Sequence, residues 1–209
     1  MMHPKTERRF ISEKKGFGVV ATEALPKGTM VWVQDCLDQV FPPARWHAIG
    51  PPVREVLDTY SFRDATGAFV FCWDHARYVN HSFRPNCMIT PFAMELAIRD
   101  IAPGEELTDD YGTLNIVEPF YPEEEGESRT VVLPDDLKTY GASWDPQVLA
   151  AFSCLDKVPQ PLQAFLTEEV WGHCLDVARS KRSMPSLTEL WCGSAAIGSQ
   201  EKGHMNGME

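Results

Sequence analysis

Tyr78-Val79-Asn80-His81-Ser82-Phe83-Arg84-Pro85-Asn86-Cys87 is the stretch on which the fold turns. It crowds two amides, an imidazole and two hydroxyls into one short segment. An amide offers donors and an acceptor together, which suits recognition of an amino-acid head group. A second polar run, Gly104-Glu105-Glu106-Leu107-Thr108-Asp109-Asp110-Tyr111-Gly112, follows it, and Gly16-Phe17-Gly18 precedes it. No G-x-S-x-G elbow surrounds Ser82, so His81, Ser82 and Asp74 do not read as a hydrolase triad. Gly16-Phe17-Gly18 lacks the third glycine and the following helix of a dinucleotide fingerprint. Alone it reads as a hairpin turn between strands at 9–11 and 19–22, with glycines free to approach a ligand or to take positive φ.

The 209 residues suit one domain with an appendage, and 44% hydrophobic content can bury a core. The net charge of −11 argues against nucleic acid as the main partner and favours a basic one. No apolar run is long enough for a membrane span, and Met1 to Phe10 lacks the apolar centre of a secretory signal. The expectation is a soluble intracellular protein, cytoplasmic or nuclear, with no membrane partner. Nothing in the chain indicates oligomeric state. The cysteines, Cys36, Cys72, Cys87, Cys154, Cys174 and Cys192, form no C-x-x-C pair and read as free thiols rather than a metal site.

Residues 1–112 read as short strands and irregular loops. Thr29 to Val33, Ala68 to Trp73, Cys87 to Thr90 and Ala93 to Asp100 have strand character, the last two as a hairpin around Pro91-Phe92. Ala44 to Ile49 and Val53 to Leu57 read as short helices opened by proline. Glu123-Glu124-Glu125-Gly126-Glu127 reads as a solvated loop. Pro146 to Phe152 and Pro161 to Ala178 have helical spacing. In the second, Leu162, Phe165, Leu166, Val170, Cys174 and Val177 make one apolar stripe. Beyond Ser180, rising Gly, Ser and Met content points to a loose tail.

Asn80-His81-Ser82-x-x-Pro85-Asn86-Cys87, then Arg99-Asp100-Ile101, then Glu106-Leu107-x-x-Asp110-Tyr111-Gly112, with Gly16-x-Gly18 upstream, together resemble the SET-domain protein lysine methyltransferases. The resemblance implies a mainly β fold of small curved sheets and irregular loops, with a knot-like crossing of 78–82 beneath 107–112 and a C-terminal helical segment. It implies a SET domain over 8–120; charge, periodicity and composition set an acidic linker over 121–135, a helical extension over 136–180 and a flexible tail over 181–209 beyond it. It implies methyl transfer from S-adenosylmethionine to a lysine of a basic protein, such as a histone. Lys15, Gly16, Phe17, Gly18, Asn80, His81 and Tyr111 would hold that cofactor. Tyr111 would also act at the transferring methyl, with Tyr60 beside the lysine channel. Arg77, Asn86 and Asp74 match family positions and read as scaffold.

The chain departs from many relatives in having Phe83 where they have cysteine, and in lacking the downstream C-x-C-x4-C cluster that completes a zinc site. No metal is therefore expected. Phe120 or Tyr121 is expected to cover the adenine, and the helix from Pro161 to pack behind. The alternative of another class is a SET-like module that binds a peptide without useful turnover.

Overall fold

A computed structural model describes residues 1–193; the end of the expected tail, 194–209, lies outside the described residues. Three small sheets make up the first half. β1 (Thr6–Ser12) and β2 (Gly16–Ala21) form a hairpin, and β2 carries β10 (Glu106–Asp109) on its other edge. β10 then pairs in parallel with β7 (Asn80–His81), giving the order β1-β2-β10-β7. A second sheet runs β3 (Met30–Val33), β9 (Met94–Ala97), β8 (Cys87–Ile89). The third joins β4 (Gln39–Phe41), β6 (Phe69–Phe71) and β5 (Ser61–Arg63). β2, β3, β8 and β9 are apolar runs buried along most of their length, as expected of strands covered on both faces.

The main core joins Val19, Val31, Met88, Leu96 and Leu107 from these strands to Leu137, Val148, Phe152 and Cys174 from the helices behind. A smaller core sits under the third sheet. There Trp46, on α1 (Pro43–His47), stacks flat on Phe69 with ring centroids 3.7 Å apart, and Leu57 on α2 (Val53–Tyr60) closes it. The Arg54 guanidinium lies over the Trp46 ring at 4.5 Å and donates to the Trp46 carbonyl.

The helical half differs from the sequence expectation. α3 spans Asp136–Phe152, with Pro146 inside it rather than at its start. A proline interrupts the helical ladder, yet Trp144 and Val148 on either side are buried, so packing outweighs the lost bond. Asp136 accepts from the Leu133 N–H and anchors the first turn. α4 is Glu168–Ala178, shorter than the stripe suggested. Thr167 caps it by accepting from the Val170 N–H, and Glu168 and Glu169 fill the first turn. Residues before Thr167 form turns, which leaves Phe165 exposed while Leu162, Cys174 and Val177 are buried. Residues 181–193 do not hang loose: Leu187 is buried, its N–H donates to Asp145, and the Asn115 side chain binds the Leu190 carbonyl and Cys192 N–H. Small and polar composition suggested a tail because those anchors lie far away in the chain.

Candidate active site

β10 and the 79–86 segment are tied together by backbone and amide bonds. The parallel ladder sets Thr108 opposite Asn80 and Asp109 opposite His81. The Ser82 N–H donates to the Asp109 carbonyl at 2.9 Å. Asn86 is 1% exposed; its Oδ1 accepts from the Thr108 N–H and its Nδ2 donates to the Glu106 carbonyl, each at 2.8 Å. The second amide of the opening motif is therefore a strut, which explains an asparagine there. The Tyr111 hydroxyl donates to the Val79 carbonyl at 2.9 Å, and its N–H donates to His81 Nδ1 at 3.2 Å. Asp110 caps the single turn that starts at Tyr111 by accepting from the Gly112 N–H.

The glycine pair meets this crossing from the other side. Gly16 closes the β1–β2 turn at φ +70°, open to glycine at little cost. Gly18 is needed for room, since a Cβ there would stand 2.5 Å from Glu106 Oε1, 2.7 Å from Ile11 Cγ1 and 2.9 Å from Asn80 Nδ2. That approach lets Asn80 Nδ2 donate to the Phe17 carbonyl at 3.1 Å and to Glu106 Oε1 at 2.7 Å. Lys15 Nζ pairs with the second Glu106 oxygen at 3.3 Å. Lys15, Gly16, Phe17, Gly18, Asn80, His81 and Tyr111 thus belong to one connected cluster, as their sequence runs suggested.

Electrostatics set the protonation states. Burial, with Arg129 and Lys15 nearby, pushes His81 down to about 4, so the ring is neutral. With Nδ1 accepting, Nε2 carries the proton, and that buried donor has no partner. Burial, with Asp109 and Glu106 adding repulsion, raises Tyr111 far above its ordinary value, so it stays a phenol.

Aromatic rings surround His81: Phe83 at 4.4 Å, Tyr111 at 5.4 Å and Phe120 at 5.6 Å between centroids. Phe120 also meets Tyr111 at 5.2 Å, whereas Tyr121 is 76% exposed and takes no part. Arg129, unmarked in the sequence reading, takes the central place next to Phe83. Its guanidinium lies 4.8 Å over the Phe83 ring, faces Tyr140 and Trp144, and pairs with both Asp110 and Asp136. The element behind the site is thus α3, not the helix from Pro161. The acidic run is not a free loop either. Glu125 accepts from the Ser82 hydroxyl and Phe83 N–H, Glu123 pairs with Lys14, and Glu127 pairs with Arg84. Among the described residues no group of three or more His, Cys, Asp or Glu could hold a metal ion.

Tyr111 also lines a cavity of about 710 Å³. It runs between the third sheet and the 114–120 segment, and Tyr60, Phe62, Val79, Tyr111 and Phe120 line it. Tyr60, at the end of α2, also packs edge-on against Tyr78 at 5.3 Å. Two further lining groups, Glu95 and Asp109, escaped the sequence reading. Glu95 is a lone acid inside an otherwise apolar strand, whereas Asp109 lies in the polar run 104–112 without a role assigned to it.

The SET-domain family matches residues 16–112. A curated relative, the H3 lysine-36-specific histone-lysine N-methyltransferase of Schizosaccharomyces pombe, is 34% identical over 118 residues, covering 49% of this chain and 14% of that protein. The chain therefore spans a small fraction of that relative's length. A solved structure from Plasmodium falciparum, provisionally assigned as a histone methyltransferase, shares 18% identity at a TM-score of 0.39, covering 53% of this chain and 95% of that one. The matched segment begins at the Gly16 turn and ends beyond Tyr111, enclosing both halves of the crossing. Residues 16–112 of this chain match the SET-domain family, and the small sheets, loops and crossing they build are of that fold.

Proposed function

We propose that this chain is a protein-lysine N-methyltransferase that uses S-adenosylmethionine. The observation that carries the reading is the convergence of the Tyr111 hydroxyl, the His81 ring, the Asn80 amide and the Phe17 backbone in one hydrogen-bonded cluster. The cluster fits such a cofactor. His81 keeps an orphaned buried N–H, and Phe120 supplies an aromatic edge beside it. When bound, the cofactor supplies an electrophilic methyl group on a sulfonium.

Lys15 to Gly18, Asn80 and His81 would hold it, with Phe120 as a cover. Tyr111, locked by its bond to the Val79 carbonyl, orients the reacting groups and, as a neutral phenol, does not strip the amine of its proton. Tyr60 stands on the cavity side, where the lysine side chain would enter. Most of the rate enhancement then comes from alignment and exclusion of water. The substrate is an exposed lysine on a basic protein, a histone being the first choice; the net charge of −11 would draw it in. A histone substrate would place the protein in the nucleus.

The test pairs calorimetric titration of S-adenosylmethionine and its demethylated product with radiolabelled transfer onto mixed histones and a cell lysate. Labelled bands are then mapped by mass spectrometry. Micromolar binding with label on lysine is expected. Binding without label would leave a peptide-binding module, and neither would end the proposal.

A further inference from the structure

The 710 Å³ cavity contains two carboxyl groups that the reaction above leaves unused. Glu95 on β9 and Asp109 at the end of β10 both line it, 8% and 3% exposed. Their side chains lie within hydrogen-bonding reach of each other, and Asp109 Oδ1 is buried without a partner. Adjacent buried carboxyls resist ionising together, and an open buried acceptor carries a desolvation penalty. A neighbouring cation would relieve both, but the arginines around the cavity are engaged elsewhere. Arg54 donates to Asp58 and the Trp46 carbonyl, Arg63 to the Asn115 and Ile116 carbonyls, Arg77 to the Cys72 and Trp73 carbonyls. The other titratable neighbours are the thiols of Cys72 and Cys87, the Tyr111 phenol, and Asp110, itself paired with Arg129. Asp109 and Tyr111 stand two residues apart and line the same cavity.

We propose that the Glu95–Asp109 carboxyl pair receives the aliphatic ammonium of the substrate side chain and selects a cation over a neutral chain of the same shape. This rests on reading the chain as a lysine methyltransferase. One proton shared between the two carboxyls leaves a single negative charge, which matches a single ammonium. Burial pushes both groups up, Asp109, which Glu95 also repels, well above the ordinary carboxylate range and Glu95 to about 7, so the anionic form develops as pH rises through about 7.

The experiment uses the full chain and two probes that mimic a lysine side chain, n-butylammonium chloride and butan-1-ol. Binding is followed by NMR on the indole signals of Trp32 and Trp46, which line the cavity. The ammonium should bind about tenfold to hundredfold more tightly than the alcohol, the range for hydrogen bonds to a charged group. The gap should widen as pH passes about 7. In the double variant Glu95→Gln, Asp109→Asn the gap should close while the melting temperature holds or rises. Asp109→Asn alone should narrow it, should the double variant not fold. Equal affinity for both probes in the wild type, or a gap that survives in the variants, overturns the proposal. Methyl transfer without a gap would sink this inference alone; a gap without transfer would sink the methyltransferase reading and leave the ammonium site standing.

Discussion

Tyr111 and Gly18 show how much a single side chain, or its absence, decides. Replacing Tyr111 by Phe removes one hydroxyl and its bond to the Val79 carbonyl, at a stability cost of about 1 kcal/mol. The ring keeps its contacts with His81 and Phe120. Transfer should nearly vanish in single-turnover assays, while the calorimetric affinity for the cofactor stays within a few-fold of wild type; full activity would remove Tyr111 from the mechanism. Gly18→Ala acts by crowding, because its Cβ would press on Glu106, Ile11 and Asn80. The expected loss is roughly 1–3 kcal/mol in denaturant unfolding, with weaker cofactor binding as Asn80 is displaced. These residues stood out in the sequence because each sits in a short run of residue types that carries the family resemblance, although their partners lie far along the chain. Glu95 and Asp109 were not, since a strand acid gives no hint of what it faces across a sheet.

Among the elements, the 118–133 segment departs most from its composition. Phe120 and Val132 pair with each other, and the acids between them reach back to the motif region. Glu125 accepts from the Phe83 N–H across 42 residues of chain, a separation at which composition says nothing about contact. A run of glutamates is normally solvated because like charges repel. Here Lys14, Arg84 and the Ser82–Phe83 donors are close enough to answer three of them. Glu125→Ala should loosen the segment by about 1–2 kcal/mol, read as faster limited proteolysis between 118 and 133. Raised salt should do the same to the wild type, since the Lys14 and Arg84 pairs are exposed. Unchanged cleavage in both would mean that Arg129 and its aromatic neighbours hold the segment unaided. The strands flanking the glycines were readable from the turn between them. α3 was not, because Pro146 reads as a start and only tertiary packing makes it an interior residue.

Across the whole molecule, buried titratable groups make stability depend on pH in two opposed ways. His3 and His81 are pushed down to about 4 and His75 is lowered too, chiefly by burial, so all three are neutral when folded. Their unfolded forms take up protons first, and stability is lost as pH falls from about 6.5 through about 4. Glu95 runs the other way. Its folded form holds a proton up to about 7, against an ordinary 4.5, so its contribution is present below 4.5 and lost as pH rises through about 7. Glu95→Gln should therefore melt with the wild type below about 4.5 and pull above it between there and about 7, where the gap levels off; coincident curves at every pH would show that Glu95 ionises freely. Trp46 offers a convenience of another kind. It lies flat on Phe69, under the Arg54 cation, with its indole on the wall of the 710 Å³ cavity. Ring stacking and a nearby charge both tune how an indole fluoresces, so the molecule carries a built-in optical probe for whatever occupies that chamber.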